Sequence, residues 1–210
     1  MANAFSDYVC NKIIDHAWRG QTWTPPATIY YAMIVATKGI WAVGTVYTTG
    51  DTIVTASPTN NRMYKATTGG TSAGSAPTWP TTSGGTVTDG TVTWTEQSLA
   101  LDAGTWTEAT YTGYARVAVT ASLANFAGTQ GAGTTAASSG TSGQTSNNAD
   151  IVFGVPTSTQ SGLVVGLAEM DNSTGGNELA WNISNTPVQI LSGASAPTIG
   201  TAAWSFTLVP

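Results

Sequence analysis

The sequence predicts a mainly β fold: an antiparallel β-sandwich with one N-terminal α-helix and a small all-β insert. Three observations carry this. Only 8% of the 210 residues are charged, while 38 are threonine and 24 are glycine; an average soluble domain is roughly 25% charged. Hydroxyl-rich, β-branched, glycine-punctuated sequence makes strands and turns rather than helices. Alternating apolar positions then recur in short blocks to the end of the chain, and helical spacing occurs convincingly only once.

That one place is residues 3–19. Phe5, Val9, Ile13, Ile14 and Ala17 follow a spacing of three to four, Asn3 or Ser6 can cap the start, and Gly20 can end the helix. Thr28–Ala36 is β-branched, aromatic and almost continuously apolar, as a buried central strand requires. The composition shifts near Gly39. From there to about residue 98 short strands alternate with Gly/Pro/Asn turns, and Asp89–Gly90 lies between Thr86–Thr88 and Thr91–Trp94. Asp-Gly flanked by β-branched residues predicts a two-residue type I′ hairpin. Residues 39–98 therefore read as an inserted all-β module, in a host formed by 1–38 and 99–210. In the host, Val117 and Val119 alternate, as do Ile151, Phe153 and Val155, then Leu163, Val165 and Leu167, then Leu179, Trp181 and Ile183. Val188 and Ile190 follow, and Trp204, Phe206 and Leu208 close the chain. Residues 127–148 hold almost only small residues and predict a long flexible loop, part of it able to pair as an irregular strand.

Six Lys and Arg against eleven Asp and Glu give a net charge of −5. There is no basic patch for a polyanion, so nucleic acid is not an expected partner. One His and one Cys leave almost no ligands for zinc, and no cofactor or metal is expected. No apolar run approaches the roughly 20 residues of a membrane span, and the first residues have no apolar core of a signal peptide. Cys10 is expected to be a small buried hydrophobe. His16 is followed by no nucleophile elbow, and its neighbour Asp15 points elsewhere on a helix. Glu169 and Asp171 share a strand face but precede a glycine-rich turn, where acids are routine. A calcium site at Asp171 and Asn172 lacks the spacing of a known loop. Gly131, Gly133 and Ala136 match a dinucleotide fingerprint only formally, with no strand before them and no helix after. No catalytic residues are assigned, and the chain is not expected to be an enzyme.

The insert's aromatics, Trp41, Tyr47, Tyr64, Trp79 and Trp94, admit two readings. Exposed rings on a rigid β surface stack on sugars, with Asp51, Asn60, Asn61 and Arg62 available to bond hydroxyls. Equally, a 60-residue module with few aliphatics must use its rings as core. The apolar face of the helix, Phe5, Val9, Ile13 and Ile14, is the expected docking element.

Several blocks together resemble a family of small tailed-bacteriophage virion proteins of tail-fibre-like or head-decoration type. They are Ala2–His16 (A-N-x-x-x-D-Y-x-x-N-K-I-x-D-H), Thr28–Ile34, Gly113–Val119, Asn147–Phe153 and Gly166–Leu179. The 39–98 segment is similar to a Trp/Tyr-rich module of phage surface proteins, with its start at Trp41–Asp51 and its end at Asp89–Trp94. The resemblance implies a non-enzymatic virion protein, either capsid decoration or tail-fibre-like. It would be made in the host cytoplasm, associate with other virion proteins, and form a homo-oligomer. The alternative is an adhesin module that contacts host-surface glycans.

Overall fold

The structure is a computed structural model that describes residues 3–55 and 60–207. It is mainly β, with antiparallel strand pairing throughout its sheets. In chain order the elements are β1 (Asn3–Phe5), α1 (Asp7–Trp18), β2 (Thr28–Ala36), β3 (Val46–Tyr47), β4 (Thr52–Val54), β5 (Met63–Thr68), β6 (Gly70–Thr71), β7 (Thr86–Asp89) and β8 (Val92–Glu96). There follow α2 (Ser98–Asp102), β9 (Thr107–Glu108), β10 (Val117–Thr120), β11 (Gln144–Ser146), β12 (Ile151–Val152), β13 (Leu163–Met170), β14 (Glu178–Val188), β15 (Thr198–Ile199) and β16 (Ser205–Thr207).

A six-stranded sheet, ordered β1-β14-β13-β2-β10 with β9 also on the β10 side of β2, organises the host. Its two faces are both covered, which explains the unbroken apolarity of β2. Tyr31, Met33 and Val35 point into one core with Ile151, Phe153, Ile190, Trp204 and Phe206. Ala32, Ile34 and Ala36 point into the other with Leu101, Val165, Trp181 and Ile183. The first face is closed by the ribbons β11–β16 and β12–β15 and the second by α2 and the edge of the 39–98 segment. The predicted two-sheet sandwich is thus one large sheet with smaller layers on either side.

Three expectations of register change. Leu163 and Val165 share a face, but Leu167 lies on the opposite one, with Val164. A β-bulge between Val164 and Gly166 inserts one residue against β2 and reverses the side-chain parity beyond it. The hairpin loop is Gly90–Thr91, with Asp89 paired to Val92. Gly90 has φ +62 while Thr91 is not left-handed, the pattern of a type II′ turn rather than I′. Residues 3–5 are a strand, not helix: Ser6 caps α1 by accepting from Val9 N at 3.3 Å, and its hydroxyl also donates to the Glu178 carbonyl. Pairing of Asn3–Phe5 with β14 satisfies backbone groups that an earlier helix start would have left at the open sheet edge.

The 127–148 stretch is a chain of tight turns tied by hydroxyls and amides, and it ends in β11. Thr129 Oγ1 donates to Ser139 O at 2.6 Å and Gln130 Nε2 to Ala137 O at 2.7 Å, while Gly133 N donates to Asn148 Oδ1 at 3.0 Å. Small side chains let the backbone come close enough for these bonds. Cys10 is exposed, contrary to expectation, because its turn of α1 faces away from the sheet. Leu208 lies outside the described residues.

Gly154 packs against the Gly113 carbonyl oxygen, with no room for a Cβ. Gly154→Ala is expected to cost about 2–4 kcal/mol by forcing β12 away from the 111–114 turn. A drop in the thermal unfolding midpoint with unchanged far-UV circular dichroism at low temperature would register it.

Candidate functional site

In the 39–98 segment, β4-β5-β8-β7 form a four-stranded sheet with its own aromatic core. Asp89, 1% exposed, organises it. Its Oδ2 accepts the indole N–H groups of Trp41 (2.7 Å) and Trp94 (3.0 Å), and its Oδ1 accepts Ala73 N at 2.8 Å. Tyr47 meets Trp94 edge-on at 4.8 Å, and Tyr64 lies 4.6 Å from Trp79. The Tyr64 hydroxyl accepts from Asn60 Nδ2 at 2.6 Å and donates to Pro80 O at 2.9 Å. Burial, the largest influence, pushes its ionisation up to about 12. At the far end Glu96 binds Arg62 at 2.7 Å, and also Ser98 and the Gly84 amide.

The structure therefore assigns Tyr47, Tyr64, Trp79 and Trp94 to core, and only Trp41 keeps a partly open ring. They do not form an exposed stacking platform. With Ile53, Ala66 and Val92 as the only other buried members, the rings have to fill the volume themselves. The polar residues expected to bond sugars are likewise engaged. Asn60 serves Tyr64, Arg62 serves Glu96, and Asp51 accepts from Thr48 N at 2.7 Å.

The same device recurs in the host, where the sequence gave no sign of it. Trp204 Nε1 donates to Glu169 at 2.8 Å, Trp181 Nε1 to Asp102 at 2.8 Å, and Trp106 Nε1 to Glu178. Burial pushes the Glu169 carboxyl up to about 7, against the hydrogen bonds from Tyr31 and Trp204, which lower it. Burial likewise pushes Glu178 up to about 8; nearby Asp102 adds to this, while Trp106 and Arg116 oppose it. Glu108 holds Arg116 at 2.8–2.9 Å and accepts from Tyr114 at 2.7 Å. Asp150 holds Thr201, Asp15 pairs with Arg19, and Asp171 accepts from Asn177 N and Nδ2. Ten of the eleven carboxylates are thus hydrogen-bonded inside the chain. Glu169 and Asp171, the strand-face pair, work separately: one is sealed under Trp204 and the other shapes the turn. His16 Nδ1 lies 3.1 Å from Gln21 O on the exposed end of α1.

The residues expected on the docking helix divide. Phe5 belongs to β1 and stacks on Phe206 at 5.6 Å, so it is not on the helix. Val9 is buried against the sheet edge and Ile13 half-buried. Ile14 is 48% exposed, and Trp18, absent from the expected set, is 77% exposed.

A β scaffold whose acids are joined to its own indoles and backbone is a structural protein in construction. The sequence matches the family described as Podophage GP4 fiber I protein gp80 over residues 4–100 and 95–207. The chain belongs to that family of bacteriophage fibre proteins, and its role is that of a phage structural, tail-fibre-like component of the virion. No curated protein matches it.

Proposed function

We propose that this chain is a non-enzymatic, tail-fibre-like protein of the virion surface, rather than a capsid decoration. The six-stranded host, residues 1–38 with 99–210, attaches it to other virion proteins, and the 39–98 segment is displayed. The observation that carries the reading is the disposition of the carboxylates. General acid–base chemistry on a polysaccharide needs two acids flanking an open cleft, and here the acids hold indoles, an arginine or turn amides in place. The fibre family supports the location. The adhesin alternative has no support in four of the five rings first considered for it, because they are core.

Immunogold labelling of intact particles with antibodies against the 39–98 segment tests this. Gold on the tail appendages is the expected result. Gold spread over the capsid, or none on the particle, would overturn it.

A further inference from the structure

On the first face of the host sheet, β13 and β14 and the 194–199 stretch enclose an open-sided cavity of about 420 Å³. Leu167, Ile190, Pro197, Ile199 and Trp204 line its floor and walls, and Val188, 55% exposed, stands at its rim. None of its lining residues is charged. Its volume lies in the range of pockets that accept a compact apolar group. Elsewhere on the same molecule, the last turn of α1 presents Trp18, the most exposed large hydrophobic residue among those described, with Ile14 one turn before it. Arg19 binds Asp15 at 2.7 Å, so the charges beside the indole cancel.

We propose that the Trp18 knob of one copy seats in the β13–β14 cavity of the next. The match is one of size and of charge: an uncharged pocket large enough for an indole, and an indole carried on a neutralised helix end. Burying that ring removes on the order of 200 Å² of apolar surface from water. Knob and pocket are different patches of one surface, so the contact is heterologous. Such contacts extend head to tail unless the rotation closes a ring. This rests on the fibre reading for its purpose, but not for its test.

The purified full chain is examined by sedimentation velocity over roughly a hundredfold concentration range. Wild type is expected to form species that grow with concentration. Trp18→Ala lacks the knob and Val188→Asp places a charge at the pocket rim; both sites are exposed, so both variants keep the fold, and each alone is expected to be monomeric. Mixed in equal amounts they retain one knob and one open pocket between them, and should form heterodimers that grow no further. A monomeric wild type would overturn the proposal, including one that takes up an apolar dye in the cavity. So would association that survives either substitution, or a mixture that stays monomeric. None of these results changes where the protein sits on the particle.

Discussion

Asp89→Ala is expected to unfold the four-stranded sheet while leaving the host sheet standing. The substitution leaves three donors, the indoles of Trp41 and Trp94 and the Ala73 amide, around a site that was 1% exposed. A buried donor without a partner costs about 1–3 kcal/mol, so the loss is on the order of 4 kcal/mol or more. That is large for any single substitution. Asp89→Asn keeps one oxygen but turns a donor toward groups that already donate, and should cost about half as much. Near-ultraviolet circular dichroism reads the aromatic packing directly. The expected result is loss of the tryptophan bands with retention of most of the far-ultraviolet β signal. Asp89→Ala with wild-type stability would show that the indoles do not depend on the carboxylate.

Raising the pH from 5 to 9 is expected to weaken the fold, the reverse of ordinary acid unfolding. Glu169 and Glu178 have folded pKa values of about 7 and about 8, above the range of an unfolded glutamate. The folded chain therefore holds more protons than the unfolded one between these limits. Stability is then full below the unfolded value near 4.5 and is lost as pH climbs through 7 and 8. One pKa unit is about 1.4 kcal/mol, so Glu169 contributes a change on the order of 3 kcal/mol and Glu178 somewhat more. Burial causes both shifts, and at Glu169 no cation stands near to offset it. The double variant Glu169→Gln/Glu178→Gln should flatten the profile and raise the melting temperature at pH 9, with little change at pH 5. A wild-type melting temperature that rises between pH 5 and 9 would contradict this.

These features differ in how far the sequence discloses them. β2 and the Thr86–Trp94 hairpin were legible because their signals are local: a run of apolar residues, or a Gly between β-branched flanks. The exact turn was not, because Asp89 has to stay in the strand to face two indoles, one of them 48 residues away. Trp106 and Glu178 are 72 residues apart and Trp181 and Asp102 are 79, so no spacing announces either pair. The bulge in β13 is equally silent. Leu163, Val165 and Leu167 alternate perfectly in sequence, and only pairing with β2 on one side and β14 on the other reveals the slip. The exposed Trp18 was overlooked because the helical stripe was read as ending at Ala17, before the indole that projects beyond it.

Where the 39–98 segment joins the host has a mechanical consequence. Lys38 N donates to Thr52 O and Val54 N to Gly39 O, at 2.9 and 2.8 Å, so β4 is bonded to the chain immediately beyond β2. Val54 and Met63 are sunk in the host's second core. A pull on the segment is therefore carried straight into β2, the strand held by β13 along one edge and by β9 and β10 along the other. Tension directed along β2 loads those hydrogen bonds together in shear instead of peeling them one at a time, so the joint resists as a unit and yields at a single rupture force.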